Sequence, residues 1–215
     1  MERLEGRVGV IGDAHALDDR LERAVETLRA WGAQTLLQVG DIVDGPGDAD
    51  RTVSLLEQAD VVAIAGNHER WFLEGIGREK PDRTQNLNDA ARAYLEALPT
   101  TRRFTTPLGG LLLCHGVGEN DMDMLKSDTR GFALRAIEEL WELIDDPDLQ
   151  LMVAGHTHER MVRHFDGLTA INAGTLHDTG PGGIVGIDFD EAQLHCWDWA
   201  GDAFAVGAPL SLIRA

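Results

Sequence analysis

Short apolar runs, each closed by a cluster of glycine and polar residues, recur along most of the chain. Val8-Gly9-Val10-Ile11 ends in Gly12-Asp13-Ala14-His15, and Thr35-Leu36-Leu37-Gln38-Val39 ends in Gly40-Asp41. Residues 61–65 end in Gly66-Asn67-His68-Glu69, and residues 149–154 end in Gly155-His156-Thr157-His158. A continuous apolar run of this length reads as a strand buried on both faces. After the first run, Leu17, Leu21, Val25 and Leu28 recur at helical spacing, with charged residues between them. Asp18 and Asp19 open that helix, where acids suit the positive end of its dipole. A shorter helix is predicted over 51–58. Strand, helix, strand, helix, strand at this spacing predicts right-handed βαβ units and a parallel sheet.

The middle of the chain is less regular. Residues 88–98 read as a helix stopped at Pro99, and 103–106 with 111–114 as a hairpin around Leu108-Gly109-Gly110. The second arm ends in His115-Gly116. Residues 116–131 show no periodicity and are predicted as a long loop, a candidate lid. Residues 132–144 read as a helix. The tail carries strand signal at 161–165 and 168–172 around an Asp166-Gly167 turn, then at 184–189 and 193–199. The pattern as a whole predicts one domain over 1–215, an α/β fold built as a layered α/β/β/α sandwich of two mixed sheets with flanking helices.

Composition narrows the partners. A length of 215 residues suffices for one good-sized core. No apolar run approaches the roughly 20 residues that a bilayer span needs, and the charged start Met1–Gly6 has no signal-peptide layout. The expectation is a cytoplasmic chain with no membrane partner; Cys114 and Cys196 read as buried, reduced thiols. The formal net charge is −18. Such a surface repels nucleic-acid backbones and anionic lipid, and argues against both as partners. It does not exclude a phosphate substrate, because bound divalent cations set the local potential of a site.

The polar clusters carry the chemistry. In open α/β sheets, sites form outside the carboxyl ends of strands. Residues far apart in sequence, among them Asp13, His15, Asp41, Asn67, His115, His156 and His158, can therefore converge there. Imidazole with carboxylate suits Mn, Fe, Zn, Co or Ni better than Mg or Ca. An Asp between two ions can bridge them, and two ions about 3.5–4 Å apart can clamp both oxygens of an in-line displacement. Each cluster alone reads as a turn; their joint occurrence at strand ends points to two divalent metal ions.

The order Asp-x-His, Gly-Asp-x-x-Asp, Gly-Asn-His-Glu, His-Gly, Gly-His-Thr-His, from Gly12 to His158, resembles the calcineurin-like metallophosphoesterase superfamily. The resemblance implies a first metal held by Asp13, His15, Asp41 and His158, and a second held by Asp41, Asn67, His115 and His156, with Asp41 as the bridge. It implies that His68 is a non-ligand that contacts the scissile phosphate. A departing alkoxide needs a proton, which an imidazole can supply. Asp44 either orients His68 or caps a helix, and Glu69 reads as structural.

Compared with the protein Ser/Thr phosphatase branch, Ala16 follows His15 and Gly45 follows Asp44, and the phosphate-gripping arginine of that branch is missing. The double histidine His156 and His158 is more like small bacterial phosphodiesterases and phosphatases. The expected activity is metal-dependent hydrolysis, by a hydroxide bound to both metals, of a small phosphomonoester or phosphodiester. The alternatives are a protein Ser/Thr phosphatase, a dinucleoside polyphosphate hydrolase and a non-enzymatic scaffold of the same fold. Arg70 is a candidate phosphate-binding cation. Glu119, Asp121, Asp123 and Asp128 are expected to form an acidic rim that favours small substrates. His177, His164 and His195 read as ordinary surface or strand residues.

Overall fold

The structure is a computed structural model, and it describes residues 1–76, 81–177 and 182–212. In chain order the elements are β1 (Glu2–Arg3), β2 (Arg7–Ile11), α1 (Asp18–Trp31), β3 (Thr35–Gln38), α2 (Ala49–Gln58), β4 (Val62–Ala63), α3 (Asn67–Leu73) and α4 (Asp89–Ala97). There follow β5 (Arg102–Thr106), β6 (Gly109–Leu113), α5 (Gly131–Arg135), α6 (Glu138–Asp145), β7 (Leu149–Ala154), β8 (Met161–His164), β9 (Thr169–Asn172), β10 (Gly183–Asp188), β11 (Gln193–Trp199), β12 (Phe204–Val206) and β13 (Leu210–Ser211).

The strands form two sheets. One runs β1-β5-β6-β7-β9-β8; the other runs β12-β11-β10-β2-β3-β4, with β13 also on β11. Both are mixed. β2, β3 and β4 pair in parallel, as do β6, β7 and β9, while β5–β6, β8–β9, β10–β2 and β10–β11 are antiparallel.

Side-chain alternation explains why apolar runs make this architecture. Val8, Val10, Leu37 and Val39 from one sheet meet Leu111, Leu113, Leu151, Val153 and Ile171 from the other in a central core. Their neighbours Ile11 and Leu36 face outward, where Leu21, Ala24 and Leu28 of α1 and Leu56 of α2 cover them. On the far side Leu112, Met152 and Ala170 face Leu140 and Leu143 of α6. Each central strand is thus sandwiched between two cores, which is why it reads as continuously apolar. The result is the expected four-layer α/β/β/α arrangement.

Several elements depart from the sequence expectation, among them the short strands β12 and β13, which it did not include. Residues 67–73 form a helix where a polar turn was expected; Glu69 stands at its third position and accepts from the Gly66 amide. The helix expected over 132–144 breaks between α5 and α6, where Ile137 leaves helical backbone and is buried in the outer core. β1 has two exposed residues and pairs only with β5, so it offers no apolar pattern to read. Among the described residues, no helix is long and apolar enough to cross a membrane.

Candidate metal centre

The carboxyl ends of β2, β3, β4, β6 and β7 open onto one edge, and the polar clusters gather there. Donor atoms of Asp13, His15, Asp41 and His158 all lie within 4.8 Å of one another, and so do those of Asp41, His115 and His156. Asp41 belongs to both groups. Asn67 joins the second, its amide oxygen 2.9 Å from His115 Nε2. All seven sequence candidates for metal ligation therefore meet at one place. Asp13, His15, Asp41, Asn67 and His115 are buried, and His156 and His158 are half-buried.

Close approach of the loops depends on glycine. A Cβ at Gly66 would collide with Asp41 Oδ1, and one at Gly155 with Asp13 Oδ1. These residues let two backbones press against the carboxylates that the site needs.

Backbone hydrogen bonds orient the imidazoles. His115 Nδ1 lies 2.8 Å from the Val39 carbonyl, and His15 Nδ1 lies 3.1 Å from the Asp44 carbonyl. A carbonyl accepts only from an N–H, so each ring carries its proton on Nδ1 and directs Nε2 into the cluster. His15 Nε2 faces His158 Nε2 at 2.9 Å, and His158 Nε2 lies 3.2 Å from Asp13 Oδ2.

The electrostatics match this donor set. Burial lowers the pKa of His15 despite the nearby carboxylates of Asp41 and Asp13. Burial, reinforced by the charge of His115, lowers that of His156. Both favour the neutral imidazole that binds a metal. Burial opposes a charge on His115 too, but the charge and hydrogen bond of Asp41 outweigh it, and its pKa is pushed up to about 10. Burial likewise opposes ionisation of Asp41, yet the surrounding His115, His68 and His15 hold its carboxyl well below the usual carboxylate range. The surroundings thus favour a negative charge on Asp41 at the centre of the cluster. A buried, shared carboxylate ringed by oriented imidazoles fits divalent transition metals.

His68 stands beside this cluster. Its Nδ1 lies 2.9 Å from Asp44 Oδ2, its Nε2 3.9 Å from Asp41 Oδ2, and its backbone N–H donates to Asp41 Oδ1 at 3.0 Å. Asp44 also accepts from the Thr84 amide at 2.8 Å. The cap of α2 is Asp48, which accepts from the Arg51 amide. Of the two expectations for Asp44, the contact with His68 is the one the geometry contains. Arg70 lies in a bidentate pair with Asp121, at 2.7 and 2.9 Å, which ties α3 to the irregular 116–131 segment.

Several contributors were not legible in the sequence. The buried Glu69 carboxylate accepts from the amides of Asp41, Ile42, Val43 and Gly66 at 2.7–3.0 Å, joining two motif loops. Trp71 packs against the His68 ring, with centroids 4.9 Å apart. Asn172 donates to the carbonyl of Gly155 and accepts from the amide of Gly174. His177, expected to be an ordinary surface residue, lies with its ring 6.4 Å from that of His15. Its Nδ1 is buried and has no hydrogen-bond partner among the described residues. Only its place after Asn172-Ala173-Gly174-Thr175 could have signalled this. His164 and His195 do lie in strands, on β8 and β11.

A two-sheet sandwich with carboxylate and imidazole donors at its strand ends defines a metal-binding protein of the layered α/β class. The chain belongs to the calcineurin-like phosphoesterase superfamily, whose domain model matches residues 7–190. Three solved structures share the fold. Yfce, a phosphoesterase from E. coli, is 16% identical over 96% of this chain and 100% of its own, with a TM-score of 0.60. A metallophosphoesterase from Sphaerobacter thermophilus is 21% identical over 87% of this chain and 85% of its own, with a TM-score of 0.59. Vps29 from Entamoeba histolytica, complexed with zinc, is 14% identical over 96% of this chain and 99% of its own, with a TM-score of 0.53. At these identities the likeness is one of fold. No functionally curated protein matches the chain.

Proposed function

We propose that this chain is a hydrolase holding two divalent cations and that it cleaves a small phosphomonoester or phosphodiester. One observation carries the reading: two donor clusters share the buried carboxylate of Asp41. Asp13, His15, Asp41 and His158 would hold one cation; Asp41, Asn67, His115 and His156 would hold the other. Cations bound there supply Lewis acidity and acidify a water nucleophile.

The remaining roles belong to the chain itself. Asp44 accepts from His68 Nδ1–H, which fixes the tautomer and turns Nε2 toward the cluster. In its doubly protonated form, with the positive charge held against Asp44, His68 gives its Nε2 proton to the departing ester oxygen and is left as the Nδ1–H tautomer. Glu69 acts through Asp41, by fixing the loop that carries it. Arg70, engaged by Asp121, anchors the 116–131 segment as a lid rather than gripping phosphate. The acidic surface excludes long polyanions, so nucleic acid is not the substrate.

Purified protein incubated with Mn²⁺ and either p-nitrophenyl phosphate or bis-p-nitrophenyl phosphate is the test. Turnover of at least one is expected, with loss of roughly 10²–10⁴-fold in kcat on His68→Ala. Asp41→Asn is expected to abolish it. Failure to cleave either ester with any of Mn²⁺, Co²⁺, Ni²⁺ or Zn²⁺ contradicts the reading.

A further inference from the structure

One cleft, of about 340 Å³, borders the metal cluster through His15 and His158 and the proton-donating pair through Asp44. Pro81, Asp82 and His177 complete its lining. A second cleft, of about 640 Å³, adjoins it and shares Gly45, Pro81 and Asp82; this one and a cleft of about 590 Å³ beside α1 contain none of the metal-cluster residues.

Four features define what this cleft accepts. Its exposed surface is mostly carbon, and three imidazoles, Pro81 and Gly45 are among its lining residues. Its own volume lies near the lower end of the roughly 300–1,000 Å³ range of ligand sites, enough to hold one ring. The His177 ring stands nearly perpendicular to His15, at 88°, and no hydrogen bond from the described residues pins its Nδ1, whereas the Nδ1 atoms of His15 and His115 are fixed by carbonyls. Finally, the carboxylate of Asp82 borders the cleft on a chain of net charge −18, with no lining lysine or arginine among the described residues. A substituent carrying its own negative charge is disfavoured there.

Resting on the phosphoesterase reading above, we propose that this cleft binds the alcohol portion of the substrate, that it favours an uncharged ring there, and that His177 is the wall conferring that preference. Flat rings pack against one another edge-to-face or offset with a modest gain beyond area burial. An imidazole beside Pro81 provides such a surface. The ester bond would then lie where the cleft meets His15 and His158, two of the residues that would hold the cations.

Binding of phosphonates, which carry no cleavable ester, tests this without turnover. Calorimetry on the Mn²⁺-loaded protein compares phenylphosphonate, methylphosphonate and 4-carboxyphenylphosphonate. The wild type is expected to bind phenylphosphonate at least about tenfold more tightly than methylphosphonate, the scale set by burying a ring. His177→Ala is expected to collapse that ratio to about twofold, and His177→Phe, which keeps a flat wall, to preserve most of it. Asp82→Asn is expected to improve 4-carboxyphenylphosphonate relative to phenylphosphonate by a few fold. Equal affinity of the wild type for phenyl- and methylphosphonate overturns the proposal, as does an unchanged ratio in His177→Ala. If bis-p-nitrophenyl phosphate is still hydrolysed in that case, only the ring pocket fails. If neither turnover nor phosphonate binding occurs, the hydrolase reading fails with it.

Discussion

His15, Ala16, Asp41, Asp44, His156 and His158 all adopt positive φ, between 46° and 67°. For a residue with a side chain that conformation costs about 1–2 kcal/mol. Asp60 and Ala192 are the only other non-glycine residues among the described ones to do so. The strain is thus concentrated in the motif loops, where it turns donor atoms inward instead of along the strand. Glu69 restrains one of these loops through four amides. The sequence marked out the side chains that the structure gathers at one edge, because each stood in a glycine-containing cluster at a strand end. It could not show Thr84 or His177, whose contacts reach across 40 and 162 positions and leave no local pattern.

Asp188 offers a residue-scale prediction away from the site. Burial alone would raise its pKa, but Arg7, at 3.0 Å, and the amides of Asp190 and Glu191 lower it below the ordinary carboxylate value. A depressed carboxyl contributes stability above its unfolded pKa and loses it as pH falls through the folded one. Asp188→Asn should therefore destabilise the protein by about 1–2 kcal/mol near pH 7. Urea titrations should show the gap to wild type closing below the ordinary value of 3.8.

At the scale of elements, α1 and α2 end alike but with different chemistry. α1 closes on Gly32 at positive φ, with the Ala33 amide donating to Leu28. α2 closes on Asp60 at φ 52°, with the Val61 amide donating to Leu56. Glycine is the usual residue at this position because it has no Cβ to strain. Asp60 is exposed and far from the metal cluster in function, so Asp60→Gly should stabilise the fold by about 0.5–1 kcal/mol and leave hydrolysis unchanged. Thermal unfolding checks it. Elements with strong periodicity, such as α1, or with continuous apolar runs, such as β7, were legible in sequence. α3 was not, because its Asn67-His68-Glu69 start serves the site and carries no apolar stripe. The break at Ile137 was hidden because an apolar residue fits both a continued helix and a turn into the core.

At the scale of the whole molecule, two sheets packed face to face bring five strand ends to one edge. The two parallel stretches, β2-β3-β4 and β6-β7-β9, each deliver ligands there, so the site spans both sheets. A surface of net charge −18 surrounds it, which supports cation capture and weakens the approach of long polyanions. Proton competition follows from His115: cation binding must displace its stabilised proton, so loading should release protons. The central claim is that Asp41 is shared by two cations. Metal content of the isolated protein after Mn²⁺ loading and desalting, measured by elemental analysis alongside Asp41→Asn, tests it most directly. The account predicts about two ions per chain in the wild type and loss of both from the tightly held pool in the variant. A wild type that retains no more than one ion, or an Asp41→Asn protein that still retains two, would contradict it.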